Sequence, residues 1–174
     1  GEFEFVQANA TGLGEQRALT DNGTILRYQG VPSPDGQWLA YDDLNNHLWV
    51  LDMQTGESYL ASTNNNGIGS FSWSPDSRWL AYEQTADNTF RQIILHQVEG
   101  RTNHPLTTDR ANSMDLAWSP DGQWVTFNSD RDGAVTNLYR KRANGTGEVE
   151  RLTTSEQAQW PNSWSPDGST LAFG

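Results

Sequence analysis

SPDGQWLAY, residues 33–41, is the stretch whose reading decides the fold. Ser-Pro-Asp-Gly places Pro at the second position of a tight turn and Gly at its end. Trp38, Leu39, Ala40 and Tyr41 follow as an apolar, aromatic run too short for a helix, which reads as a strand. The chain writes this phrase four times: SPDGQWLAY at 33, SPDSRWLAY at 74, SPDGQWVTF at 119 and SPDGSTLAF at 165. The copies begin 41, 45 and 46 residues apart.

Working outward from the turn, each repeat reads as four strands. A short strand runs into it (GSFSW 69–73, MDLAW 114–118, PNSW 161–164), and the apolar run forms a second. A third follows a variable loop (HLWVLD 47–52, RQIILH 91–96, NLYRKR 137–142). A Gly-containing turn leads to a fourth, near YLAS 59–62, PLTT 105–108 and RLTT 151–154. Four antiparallel strands in a repeat of this length describe one blade of an all-β propeller. Such a blade needs neighbours on both faces to bury its apolar residues. The repeated tryptophans, Trp73, Trp118 and Trp164 in one slot and Trp38, Trp79 and Trp124 in another, read as packing between blades.

The last repeat stops two strands in, after TLAF at 170–173, whereas FEFVQANATGLGEQRALT at 3–20 reads like NLYRKRANGTGEVERLT at 137–153. The expected blades are therefore 27–62, 69–108, 114–154, and a composite of 160–174 with 3–20, in a single domain spanning 1–174. The composite closes a ring by main-chain bonds, leaving no free sheet edge. Closure within one chain gives four blades. Two chains head to tail give eight, a fragment excised from a longer propeller is a third option, and a homodimer by strand pairing between chain ends is the expected partner.

The composition agrees with an all-β chain. Among 174 residues there are 16 Gly and 7 Pro for turns, with 8 Trp, 6 Phe and 5 Tyr for strands. A net charge of −11 argues against nucleic acid and anionic membranes as partners. There are no cysteines, which excludes disulfides, thiolate zinc sites and cysteine catalysis. No apolar run approaches a membrane span, so a soluble chain is expected. Gly1-Glu2-Phe3 fits a cloning remnant, and periplasmic, extracellular and cytoplasmic locations all stay open.

WSPDG before an apolar strand, then an LWVLD-like strand, a TGE turn and Leu-Thr, resembles the TolB-like propeller repeat, which is similar to the propellers of tricorn-type proteases and prolyl-oligopeptidase relatives. Residues 19–57 look especially like the tricorn type, and 147–168 like generic TolB-type blades. The resemblance covers essentially the whole chain. It departs in blade number, since those families have six or seven, in Pro32 where a Trp is expected, and in Ser77 where the turn expects Gly. It implies a fold that serves many tasks, with any hydrolase chemistry in separate domains.

Candidate chemistry is sparse. No Gly-x-Ser-x-Gly elbow occurs, and GIGSFSW at 67–73 falls on an inner strand. His47, His96 and His104 lack metal-pair spacing. Asp130 and Asp132 in SDRDG echo the start of a calcium loop without its later ligands, and are weak metal candidates. Asp35, Asp76, Asp121 and Asp167 read as turn caps, one per blade. The Asn-x-Thr matches at Asn9, Asn22 and Asn144 also suit turns. Asn64, Asn65 and Asn66 form a candidate ligand loop, with amides able to face the axis. The expected function is a non-catalytic protein- or peptide-binding or scaffold module without a cofactor. The alternatives are the substrate-gating portion of a tricorn-type or oligopeptidase-like hydrolase, or a propeller fragment built or evolved to study assembly.

Overall fold

The structure, a computed structural model, describes residues 4–21, 23 and 25–174. The Asn-x-Thr match at Asn22 and the first residues, Gly1-Glu2-Phe3, lie outside the described residues. The described elements are all strands. An N-terminal hairpin pairs β1 (Val6–Gln7) with β2 (Arg17–Ala18). Three four-stranded blades follow, each an antiparallel meander. The first holds β3 (Arg27–Pro32), β4 (Trp38–Asp43), β5 (His47–Asp52) and β6 (Ser58–Thr63). The second holds β7 (Ile68–Trp73), β8 (Trp79–Thr85), β9 (Arg91–Gln97) and β10 (Thr102–Pro105). The third holds β11 (Ser113–Trp118), β12 (Trp124–Ser129), β13 (Asn137–Arg142) and β14 (Glu150–Arg151). A C-terminal hairpin pairs β15 (Pro161–Trp164) with β16 (Leu171–Phe173).

The pleat sorts side chains between neighbouring blades, because alternate residues face opposite sides of a sheet. Ala40, Leu48 and Val50 pack against Phe71, Trp73, Leu80 and Tyr82 of the second blade. Leu39, Tyr41 and Leu51 point the other way, onto Phe5 and Leu19 of the N-terminal hairpin. Ala81, Ile93 and Leu95 repeat the arrangement against Trp118, Val125 and Phe127 of the third blade. Both faces of a middle strand are thus covered, which explains its near-continuous apolar sequence.

The Leu-Thr phrase closes the second blade, the third blade and the N-terminal hairpin in one way. In the second blade Leu106 N–H donates to Ile93 O at 2.8 Å, and Ile93 N–H donates to Thr107 Oγ1 at 2.9 Å. In the third, Leu152 N–H donates to Leu138 O at 2.8 Å and Leu138 N–H to Thr153 Oγ1 at 3.0 Å. In the N-terminal hairpin, Leu19 N–H donates to Phe5 O at 2.8 Å and Phe5 N–H to Thr20 Oγ1 at 2.9 Å. β1 and β2 are therefore the third and fourth strands of a blade. The phrase lies just beyond the fourth strand in the second and third blades, not within it, because the Thr hydroxyl takes over from the ladder there.

The two terminal hairpins form separate two-stranded sheets. Each is seated on its neighbour, the first against the first blade and the second against β11 and β12 of the third blade.

Candidate functional site

The four Ser-Pro-Asp turns are built alike. The Ser hydroxyl donates to the Asp carboxylate in each copy, at 2.6 Å for Ser33–Asp35, 2.6 Å for Ser74–Asp76, 2.5 Å for Ser119–Asp121 and 2.6 Å for Ser165–Asp167. The same Asp oxygen accepts the N–H two residues on, from Gln37, Arg78, Gln123 and Ser169. These bonds favour the charged carboxylate. They hold Asp121 below the usual range, and with Ser165 first they bring Asp167 down to about 2. Burial raises Asp35, but bonds from Ser33 and Gln37 outweigh it and leave it lowered. The fourth turn position needs a left-handed backbone: φ is 72° at Gly36, 69° at Gly122 and 71° at Gly168. Ser77 adopts φ 61° in the second copy. Its hydroxyl accepts the Asp35 N–H at 3.1 Å, a link across two blades.

These turns edge a groove between the first and second blades, of about 680 Å³, walled by Trp38, Asp76, Arg78, Trp79, Val98 and Glu99, with Asp35 at its rim. Each turn Asp commits Oδ1 to its own loop. The equivalent groove between the third blade and the C-terminal hairpin is about 400 Å³. There Arg140 and Arg142 stack on Trp124, with guanidinium carbons 4.1 and 4.5 Å from the indole centre. The strand register puts Val50 and Asp52 beside Trp38 in the corresponding places.

The other tryptophans join blades. Trp73 Nε1 donates to Val31 O at 2.9 Å, and Trp118 Nε1 to Ser72 O at 3.1 Å. Trp164 Nε1 is buried without a partner among the described residues. Pro32, in the same slot, has no indole to donate.

At the opposite end, each inner strand carries an irregularity: between Arg27 and Gly30, Ile68 and Phe71, and Met114 and Ala117. A bulge frees backbone groups, and side chains from the second strand satisfy them. Asp42 accepts the Gln29 N–H at 3.0 Å. Buried Glu83 accepts the Ser70 hydroxyl and, across the blade boundary, the Asp115 N–H at 2.7 Å. Asn128 donates to Asp115 at 2.8 Å. Burial pushes the Glu83 carboxyl up, against the pull of Ser70 and the Asp115 N–H. Composition and spacing gave no warning of Glu83. The usable signal was its slot, directly after the apolar run, where the other blades have Asp42 and Asn128.

The remaining candidates fall in separate places. Asp130 accepts the Asn112 backbone N–H at 2.8 Å and its side-chain amide at 2.7 Å. Asp132 accepts the Tyr139 hydroxyl at 2.8 Å. Among the described residues no group of three or more His, Cys, Asp or Glu is arranged for a metal. Asn64 Nδ2 donates to Thr85 O at 2.9 Å, tying two blades together, and its Oδ1 accepts the Asn66 N–H at 2.8 Å. Asn65 and Asn66 are exposed. Asn9 and Asn144 each accept the N–H and hydroxyl of the Thr two residues on, so both Asn-x-Thr phrases are Asx turns.

His47 and His96 are held by their own blades. His47 Nδ1 lies 3.0 Å from buried Asp43, which also accepts the Trp49 indole N–H at 2.9 Å. His96 Nδ1 faces Asn103 Oδ1 at 2.8 Å, so Nδ1 carries the proton and Nε2 accepts from the Tyr59 hydroxyl at 3.0 Å. Burial lowers His96 and pushes Tyr59 up to about 12. His104 Nε2 lies 2.9 Å from Thr102 Oγ1 and, among the described residues, has no carboxylate partner. No helix of the described residues is long and apolar enough to cross a membrane.

Three of the solved structures similar to this chain illustrate the likeness. TolB from Acinetobacter baumannii matches with TM-score 0.72 at 22% identity, covering 98% of this chain and 42% of that one. Oligogalacturonate lyase from Vibrio parahaemolyticus matches with TM-score 0.71 at 17% identity, covering 98% and 51%. The tricorn protease matches with TM-score 0.64 at 18% identity, covering 91% and 18%. The chain thus spans less than half the length of that TolB, and these likenesses concern the fold. No curated protein matches significantly. The model of the family PD40, TolB beta propeller domain, matches residues 8–174. With that match across nearly its whole length, on repeats that share one turn, the chain belongs to the TolB β-propeller domain family.

Proposed function

We propose that this chain is a non-catalytic protein- or peptide-binding module, and that the groove between its first two complete blades receives a basic side chain of an extended segment. One observation carries the reading. In the equivalent groove the chain's own Arg140 and Arg142 stack on Trp124, whereas the Trp38 groove is open and edged by Asp35, Asp76 and Glu99. A guanidinium over an indole face, with carboxylates nearby, is a favourable arrangement. The net charge of −11 favours a basic ligand over an acidic one. The histidines support the non-catalytic half of the reading, since none joins a carboxylate to a seryl or threonyl oxygen among the described residues.

Titration with short peptides that differ only in Arg against norleucine, followed by tryptophan fluorescence, tests the reading. Saturable binding of the Arg peptide, lost in Trp38→Ala and weakened by Glu99→Gln, is expected. Equal response to both peptides, or binding indifferent to Trp38→Ala, overturns it.

A further inference from the structure

We infer that Asn144 is a site of spontaneous covalent modification: its carboxamide closes onto the Gly145 nitrogen as a succinimide, water opens the ring to isoaspartate, and Thr146 speeds the closure. Nothing in this inference depends on the groove beside Trp38.

The clamp on Asn144 carries it. Asn144 Oδ1 accepts the Thr146 N–H at 3.0 Å and the Thr146 hydroxyl at 2.7 Å. Two donors on one carbonyl oxygen polarise Cγ and stand where negative charge grows when a nucleophile adds. That nucleophile is the next backbone nitrogen, and in Gly145 no Cβ crowds it. Asn144, Gly145 and Thr146 are exposed, so water reaches the ring. The clamp spans three consecutive residues in the turn between β13 and β14.

The atoms balance with water alone. The Gly145 nitrogen gives its proton to solvent, releases Arg142 O and bonds to Asn144 Cγ. The Cγ–Nδ2 bond breaks, and Nδ2 takes a proton from solvent and leaves as ammonia. One water then opens the imide. Attack at the Asn144 backbone carbonyl gives isoaspartate, and attack at Cγ gives aspartate. Asn144 and Gly145 share a cavity of about 310 Å³ with Trp79, Leu95, His104 and Leu106. Either product puts a carboxylate on that wall, and isoaspartate also lengthens the backbone there by one carbon.

Other sites in the chain separate the two requirements. Asn66-Gly67 has the same nucleophile without the clamp. Gly67 N–H donates to Asn64 O at 3.0 Å, just as Gly145 N–H donates to Arg142 O at 3.0 Å. Asn66 is also exposed, but among the described residues nothing donates to its carboxamide. Asn9 has the clamp without the glycine: its Oδ1 accepts the Thr11 N–H at 3.0 Å and the Thr11 hydroxyl at 2.9 Å, and Ala10 follows it. Asp35-Gly36, Asp121-Gly122 and Asp167-Gly168 have both glycine and donors. Their carboxyls lie below the usual range and stay charged, and a carboxylate resists attack. Asn144 alone among these joins a clamp, a glycine and a neutral carbonyl.

Peptide mapping by mass spectrometry, on the whole folded chain held in warm, mildly alkaline buffer, tests the inference. Asn144 should convert at least about threefold faster than Asn66, with Asn9 slowest. Thr146→Val keeps the N–H donor and loses the hydroxyl, and should bring Asn144 toward the rate of Asn66 in the same molecule. Thr146→Ser should restore the difference. In urea, where the clamp is gone, the two Asn-Gly steps should convert at similar rates. Conversion at Asn66 as fast as at Asn144 in the folded chain, or a ratio unmoved by Thr146→Val or by urea, overturns the inference.

Discussion

Phe127 and Phe173 occupy the same place in the repeat, follow the same turn and end the same kind of apolar run, yet one is 0% and the other 46% exposed. Their local sequences differ little: WVTF against TLAF. The difference is that β12 has β11 on one edge and β13 on the other, while β16 has β15 alone. A strand in this fold becomes core by acquiring a third strand and a neighbouring blade. The comparison teaches that the repeat sequence encodes a capacity for burial which the surroundings must complete.

The largest effect that would sharpen this contrast is at the two phenylalanines. Phe127→Ala should cost about 3–5 kcal/mol in urea unfolding, as expected for a large buried side chain. Phe173→Ala, measured in the dilute chain, should cost no more than about 1 kcal/mol because its ring is only half covered. Near-equal losses would break the contrast and show Phe173 to be covered.

Next in size is the junction between the second and third blades. Glu83→Ala should cost about 1–3 kcal/mol, since it strips the Asp115 N–H of its acceptor. Glu83→Gln keeps an acceptor without the buried charge and should come close to wild type. The folded-state pKa of Glu83 is raised, so the folded chain holds this proton more tightly than the unfolded one. Its contribution to stability is fully present below the ordinary glutamate pKa and is lost as pH rises through the raised folded value. Unfolding midpoints of wild type and Glu83→Gln should therefore converge on acidification.

The Leu-Thr closure offers a similar pair. Thr107→Val leaves the buried Ile93 N–H without its acceptor and should cost about 1–2 kcal/mol. Thr20→Val affects the same bond in the N-terminal hairpin, where solvent can partly replace it, and should cost less. Amide hydrogen exchange at Ile93 and Phe5 reads the same difference bond by bond.

His96 should show a smaller, pH-dependent effect. Its folded pKa is lowered, so its contribution is present above the ordinary histidine pKa and is lost as pH falls through the lowered folded value. Protonation also puts a hydrogen on the nitrogen that accepts from Tyr59. His96→Gln should flatten the acid limb of the stability profile, and an unchanged limb would assign it to other groups. The smallest effect is expected at Ser77→Gly. Relief of the left-handed serine and loss of its bond to Asp35 oppose each other, leaving a change within about 0.5 kcal/mol.

Much of this was legible in the chain itself. The turn phrase located four second strands because Pro, Asp and Gly each meet a local backbone demand. The likeness of 3–20 to 137–153 identified the N-terminal hairpin because the Leu-Thr contacts lie within one hairpin. The tie from Asn64 to Thr85 was not legible because its partner belongs to the next blade. Glu83 went unnoticed for the same reason: its decisive contact, Asp115, is 32 residues away.

By itself, then, the sequence determined the repeat, its turns, its strand order and its phase, all of which follow from interactions spanning a few residues or one hairpin. Only the tertiary structure decided which tryptophans donate across blades, which indole the chain's own arginines stack on, where a carboxylate is buried, and that Phe173 stands uncovered. Those outcomes depend on what the adjacent blade brings to the contact, and a repeat read alone does not contain its neighbour.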